Sequence, residues 1–124
     1  MNIHYRLDGP EKAPVLVLSN SLGTTLTMWD AQMPALTEHF RVLRYDTHGH
    51  GQTTKRGKVT LSQLGEDVIT LLDHLNIERA SFCGISMGGL TGLWLARFAP
   101  ERFEAVVVAN TAAKIGEQAG WLSR

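Results

Sequence analysis

The chain has 124 residues, 44% hydrophobic and 19% charged, proportions that suit one globular domain, residues 1–124, with a single core. Its 12 Lys and Arg offset 12 Asp and Glu, so nothing in the charge steers it toward nucleic acid or an anionic membrane, and a small-molecule partner is expected. No apolar run approaches the roughly 20 residues that cross a bilayer. The only cysteine, Cys83, has no internal disulfide partner and the N-terminus lacks a secretory signal, so a cytoplasmic setting is expected.

Ile3 to Leu7 alternates apolar and polar residues and stops at the turn Asp8-Gly9-Pro10, which predicts an edge hairpin strand. Val15-Leu16-Val17-Leu18 is a continuous apolar run, as in a central parallel strand covered on both faces. A polar loop follows from Ser19 to Thr27, then Trp29, Met33 and Leu36 at the spacing of a short helix. Arg41 to Tyr45 reads as a strand running into the Gly-rich loop Asp46-Thr47-His48-Gly49-His50-Gly51. Leu61, Leu64, Val68, Leu71, Leu72 and Leu75 keep helical spacing over four turns, and Thr60 with Gln63 has the form of a capping box.

Ala80 to Cys83 predicts a short strand ending at Gly84, and Met87 to Ala99 a helix stopped before Pro100. Phe103 to Ala109, with three consecutive valines, predicts another strand buried on both faces. Asn110 to Arg124 reads as loop and the start of a helix. Strands alternating with helices argue for βαβ units, a mostly parallel sheet and right-handed crossovers.

Gly84-Ile85-Ser86-Met87-Gly88 matches G-x-S-x-G, in which a tight strand-to-helix turn pushes a serine hydroxyl out over the end of a sheet. Side chains at Gly84 and Gly88 would collide with the neighbouring strand or helix, and the serine is expected in a strained conformation. The following helix directs free N–H groups and its positive end at the serine, which favours a developing oxyanion, with Met87 N–H as one donor. A chance match is the blander reading; the flanking predicted strand and helix argue against it.

With this element the chain resembles α/β-hydrolases, which implies an α/β-hydrolase fold with a mostly parallel sheet flanked by helices. In that fold a second oxyanion donor comes from the loop after the central strand, here Asn20-Ser21-Leu22-Gly23, with Leu22 N–H as the candidate. The Ser and Thr content of that loop equally suits a plain strand-to-helix connection.

His48 and His50 invite a metal or base reading, yet alternate residues of a Gly-rich loop need not face the same way. No Cys or acidic cluster completes a coordination sphere, so structural histidines are expected and no metal. Chain order in α/β-hydrolases runs Ser, acid, His, whereas His4, His39, His48, His50 and His74 all precede Ser86 and only Glu101, Glu104 and Glu117 follow it. The general base is therefore expected outside this chain. Cys83, beside the turn, reads as a small buried hydrophobe. Trp29 and Trp94 read as core, while Trp121 in the tail suits a ligand or a partner surface.

Four blocks together carry a narrower resemblance: Leu18 to Gly23, Tyr45 to Gly51, Gly84 to Gly89, and Ala109-Asn110-Thr111-Ala112-Ala113-Lys114-Ile115-Gly116. They look like the 3-oxoadipate enol-lactonase family, the last block being the most selective. The resemblance implies a serine hydrolase that opens the enol-lactone of 3-oxoadipate in bacterial aromatic breakdown (the protocatechuate or catechol branch), with Ser86 as nucleophile, Leu22 and Met87 N–H groups as oxyanion hole, and neither metal nor organic cofactor. It covers roughly the first half of such an enzyme, stopping before the cap, the C-terminal core strands, the acid and the histidine. The isolated chain is thus expected to be inactive unless a complementary C-terminal segment joins it. The alternatives are a non-catalytic truncated fragment or interaction module, or another α/β-hydrolase sharing the same turn and loops: a carboxylesterase, a haloperoxidase-like enzyme or a carbon–carbon bond hydrolase.

Overall fold

The computed structural model of the protein describes residues 3–21, 24–47 and 60–109. Within these, five strands form one sheet: β1 (Tyr5–Asp8), β2 (Val15–Ser19), β3 (Arg41–Tyr45), β4 (Ala80–Ile85) and β5 (Phe103–Ala109). Their spatial order is β1-β3-β2-β4-β5. The last four run parallel to their neighbours, and β1 pairs antiparallel with β3. The mostly parallel α/β sheet expected from the alternation of elements is what forms.

β2 lies at the centre, with Val17 fully buried on one face and Leu18 on the other. The terminal Ile3 to Leu7 segment differs from expectation in its partner. It is an edge strand, but it makes no hairpin with β2; Tyr5 stands opposite Tyr45 and Asp8 opposite Val42. Both edges of β2 are taken by the parallel partners β3 and β4, so the outer edge of β3 is what β1 can pair with.

The helix expected around Trp29 is a 3-10 segment, Leu26–Gln32, continuing into one α-helical turn, α1 (Met33–Leu36). Helix α2 (Leu61–His74) starts where the sequence places it, with Thr60 Oγ1 accepting from Gln63 N–H at 3.1 Å. Leu64, Val68, Leu71 and Leu72 are buried, while Leu61 in the first turn is exposed. Helix α3 (Met87–Phe98) stops before Pro100, which cannot continue it because proline lacks an N–H and displaces the preceding residue from helical geometry.

α2 and α3 cover one face of the sheet around Val17, Leu43, Phe82 and Leu95; the 3-10 segment and α1 cover Leu16, Leu18 and Val42 on the other. Both expected core tryptophans pack inward: Trp29 is buried, and Trp94 lies directly across Gly65 of α2. Among the described residues no helix is long and apolar enough to cross a membrane.

β5 overturns one expectation. Its valine run is not buried on both faces: Val106 and Val108 are half-buried on the α3 side, whereas Val107 is 58% exposed and Ala105 and Ala109 are open. Cys83 and Ile85, the register partners of Val107 and Ala109, lie only partly covered on that same face. β5 ends the described sheet, and the 3-10 segment and α1 do not extend over it, so an apolar run alone does not secure two-sided burial.

β4 continues to Ile85, two residues beyond Cys83, and passes into α3 through Ser86 at φ 58° and ψ −115°. An L-residue there crowds its Cβ against its own backbone, at about 1–3 kcal/mol. Ser86→Gly relieves the crowding and loses part of the gain, about 0.5–1 kcal/mol, to unfolded-chain entropy, whereas Ser86→Ala keeps the Cβ. Urea unfolding should find the glycine variant about 1 kcal/mol more stable than the alanine variant; the reverse order would contradict the strained turn.

The buried Tyr45 hydroxyl supplies a second test. Removal from water pushes its pKa well above the ordinary range, outweighing the opposing hydrogen bond to Ser19. Above about pH 10 the unfolded chain releases this proton while the folded chain keeps it. Stability should therefore be fully retained below that pH and fall above it by about 1.4 kcal/mol per pH unit from this group. Unfolding midpoints between pH 9 and 11 should fall less steeply in Tyr45→Phe; identical slopes in both proteins would rule the assignment out.

Candidate active site

The chain leaves β2 for β3 on one side of the sheet and returns across β2 to β4 on the other. The carboxyl ends of β2 and β4 therefore border the point where strand order reverses, the usual place for a ligand crevice in parallel α/β sheets. Ser19 and Gly84 stand opposite each other there. Asn20 and Ser86 follow within two residues of those positions.

Ser86 precedes the first residue of α3, Met87, so both fall where the sequence motif places them, at the amino end of a 12-residue helix. A 2.9 Å hydrogen bond from Ser86 N–H to Ala109 O ties the turn to the end of β5. Gly88 N–H donates to Asn20 O at 3.0 Å, linking the first turn of α3 to the end of β2. The first N–H groups of a helix have no partner within it, and this one is satisfied from a neighbouring strand end.

The two motif glycines are explained by close approach. A Cβ on Gly84 would run into the Gly88 carbonyl, and one on Gly88 into the Ser19 carbonyl. The amino end of α3 thus sits backbone to backbone against β4 and the end of β2. Gly92, one turn on, continues the contact against the Phe82 ring.

Beneath the turn lies a buried polar network whose roles the motif did not reveal. Asn20 is fully buried; its Nδ2 donates to Tyr45 O at 2.8 Å and its Oδ1 accepts from Trp29 Nε1 at 2.7 Å. Ser19 Oγ and Tyr45 OH are hydrogen-bonded at 2.7 Å. Asp46 Oδ1 accepts from Leu26 N–H at 2.7 Å, and the buried Arg44 guanidinium donates to Leu26 O and Asp30 and pairs with Asp8. The 3-10 segment is thereby held to the ends of β2 and β3 by side chains on both strands. One signal for this was present in the sequence, an unbroken set of polar residues following two buried strands, but polar composition there fits an ordinary loop equally well.

Cys83 lies on β4 against the Leu18 and Trp29 cluster but is only partly buried, short of the full burial expected of it. Burial raises its thiol pKa, which disfavours the nucleophilic thiolate. Among the described residues, no group of three His, Cys, Asp or Glu side chains is placed to hold a metal. Leu22, His48, His50, Trp121 and the run Asn110 to Gly116 lie outside the described residues.

The family model described as alpha/beta hydrolase fold matches residues 14–122. The chain is 55% identical over 98% of its length to 3-oxoadipate enol-lactonase 1 of Acinetobacter baylyi, covering 46% of that protein. The crystal structure of an enol-lactonase from Burkholderia xenovorans superposes with a TM-score of 0.86 at 56% identity, over 90% of this chain and 44% of that one. A hydrolase from Pseudomonas aeruginosa gives the same TM-score at 55% identity, over 98% of this chain and 49% of that one. The chain spans about half the length of the curated relatives it matches. By its strand order, its glycine-lined serine turn and this match, the chain belongs to the alpha/beta-hydrolase fold family.

Proposed function

We propose that Ser86 is the nucleophile of a serine hydrolase that opens an enol-lactone, the substrate being 3-oxoadipate enol-lactone. The observation that carries this reading is the serine held at positive φ between β4 and α3, a geometry sparsely populated by L-residues and concentrated at functional sites. The choice of substrate rests on the 55% identity to a 3-oxoadipate enol-lactonase.

In the reaction, Ser86 Oγ gives its proton to a general base and attacks the lactone carbonyl carbon. Met87 and Leu22 N–H groups bind the oxygen as it becomes an anion. Collapse of the tetrahedral adduct breaks the ring C–O bond and expels the enolate, which takes up a proton and becomes the ketone. Water then attacks the acyl-serine, releasing the carboxylate and restoring the hydroxyl. The sum is lactone plus water to 3-oxoadipate, with no redox change and no need for a cofactor.

No histidine follows Ser86 in the 124 residues, and in this reading a complementary segment supplies the general base, consistent with a chain that spans about half the length of the curated relatives it matches. The half-bare face formed by Cys83, Ile85 and Val107, with β5 at the end of the described sheet, supports a docking place for it.

Mixing the chain with the C-terminal half of the Acinetobacter enol-lactonase should produce turnover of an activated ester and of the enol-lactone, with neither half active alone. Ser86→Ala should lower the reconstituted rate by roughly 10⁴-fold or more. Tight association without any turnover would instead favour a non-catalytic interaction module, and turnover retained in Ser86→Ala would exclude this serine. Cys83→Ser should keep the rate, because the neutral thiol takes no part; iodoacetamide should label Cys83 in the folded chain more slowly at pH 7 than a free thiol. Rapid labelling would show an activated cysteine.

A further inference from the structure

Asn20 joins the end of β2 to the end of β3, to the 3-10 segment and, through its main chain, to the first turn of α3. Its carboxamide bridges Tyr45 O on β3 and Trp29 Nε1 in the 3-10 segment, while its own carbonyl receives Gly88 N–H from α3. These are three hydrogen bonds to three separate elements, from a residue one position from Ser86's own strand register and with no exposure to water. A buried amide left unpaired is costly, about 1–3 kcal/mol per group, so the carboxamide plane has one fully satisfied orientation. That orientation sets where the Asn20 carbonyl points.

We propose that Asn20 is a positioning residue for the nucleophile: its carboxamide, clamped by Trp29 and Tyr45, aims its main-chain carbonyl at Gly88 N–H and so holds the first turn of α3, with Ser86, against the end of β2. The inference rests on Ser86 being the nucleophile only for its catalytic consequence; the mechanical part stands on the hydrogen bonds alone. Gly84 and Gly88 let the backbones approach, but a steric allowance does not choose one register. The Asn20 carbonyl does, because a displacement of the turn by even one hydrogen-bond length strands Gly88 N–H, an amide with no partner inside its own helix. Small displacements of reacting groups are expensive in catalysis, about 10²-fold for 1 Å.

Asn20→Asp retains the acceptor for Trp29 and loses the donor to Tyr45 O; Trp29→Phe keeps an aromatic ring and removes the opposite arm. Amide hydrogen exchange of the chain itself, read by NMR, uses Gly88 N–H as reporter and Leu43 N–H in the central core as reference. In each variant Gly88 exchange should accelerate at least tenfold relative to Leu43. Equal acceleration of both amides, meaning general loosening, or no change at Gly88 would overturn the proposal. In the reconstituted enzyme, with sites counted by active-serine titration, kcat should fall at least tenfold while KM stays within twofold; unchanged kcat per titrated site would also overturn it. A wild-type mixture without turnover counts against the hydrolase reading, and the exchange measurement still decides the role of Asn20.

Discussion

The arrangement depends on a single backbone constraint: a strand must become a helix within one residue while the helix start remains in contact with two strand ends. At Ser86 the chain accepts a positive φ to make this bend, and at Gly84 and Gly88 it gives up side chains so that carbonyls can approach where Cβ atoms would stand. Neither concession stabilises the fold by itself. Together they direct the amino end of α3, with its positive dipole end, to the place where the strand order reverses. The chemistry proposed for Ser86 needs an oxyanion stabilised at that place, so the strain and the proposed function share one location.

A turn under strain persists only if its surroundings over-determine it, and here they do so from three sides. Ser86 N–H is held by the end of β5, Gly88 N–H by the end of β2, and Gly92 lets α3 press on Phe82 in the sheet. The Asn20, Tyr45 and Trp29 bonds lie beneath, and the Arg44 ion pairs with Asp8 and Asp30 tie down the segment above them. Polar groups buried in this manner specify position more than they add stability, since each bond replaces one made with water. Their placement under the turn fits a requirement for registry of the backbone.

Much of the scaffold was legible in the sequence where the deciding physics is local. The apolar run at Val15–Leu18, the Thr60 cap, the leucine spacing of α2 and Pro100 beyond α3 each act within a few residues, and each element formed where expected. What depends on neighbours was not legible. The partner of β1 follows from which sheet edge stays open after β2 has acquired two parallel partners, and the exposure of Val107 follows from what lies over β5. At the site, the glycines around Ser86 could be read because steric exclusion leaves a residue-type signature. Asn20, Arg44 and Tyr45 could not, because a buried hydrogen bond uses side chains that serve equally well on an exposed loop.

The same distinction bears on why residues 3–109 by themselves can carry a formed turn. Every contact described for Ser86, Gly84, Gly88 and Asn20 is made by β2, β3, β4, β5, α3 or the 3-10 segment, all within residues 3–109. α2 and α3 also close one face of the sheet around Val17, Leu71 and Leu95. The opposite face is closed over β2 and β3 but bare over β5, where Val107 remains in water. Burial of that row is worth about 25 cal/mol per Å² of apolar surface, a driving force directed at the side of the sheet nearest the strand end that binds Ser86 N–H. A segment supplying the proposed base by covering this row would couple its docking to the carbonyl of Ala109, and hence to the turn itself. Assembly and completion of the proposed triad would then be a single event.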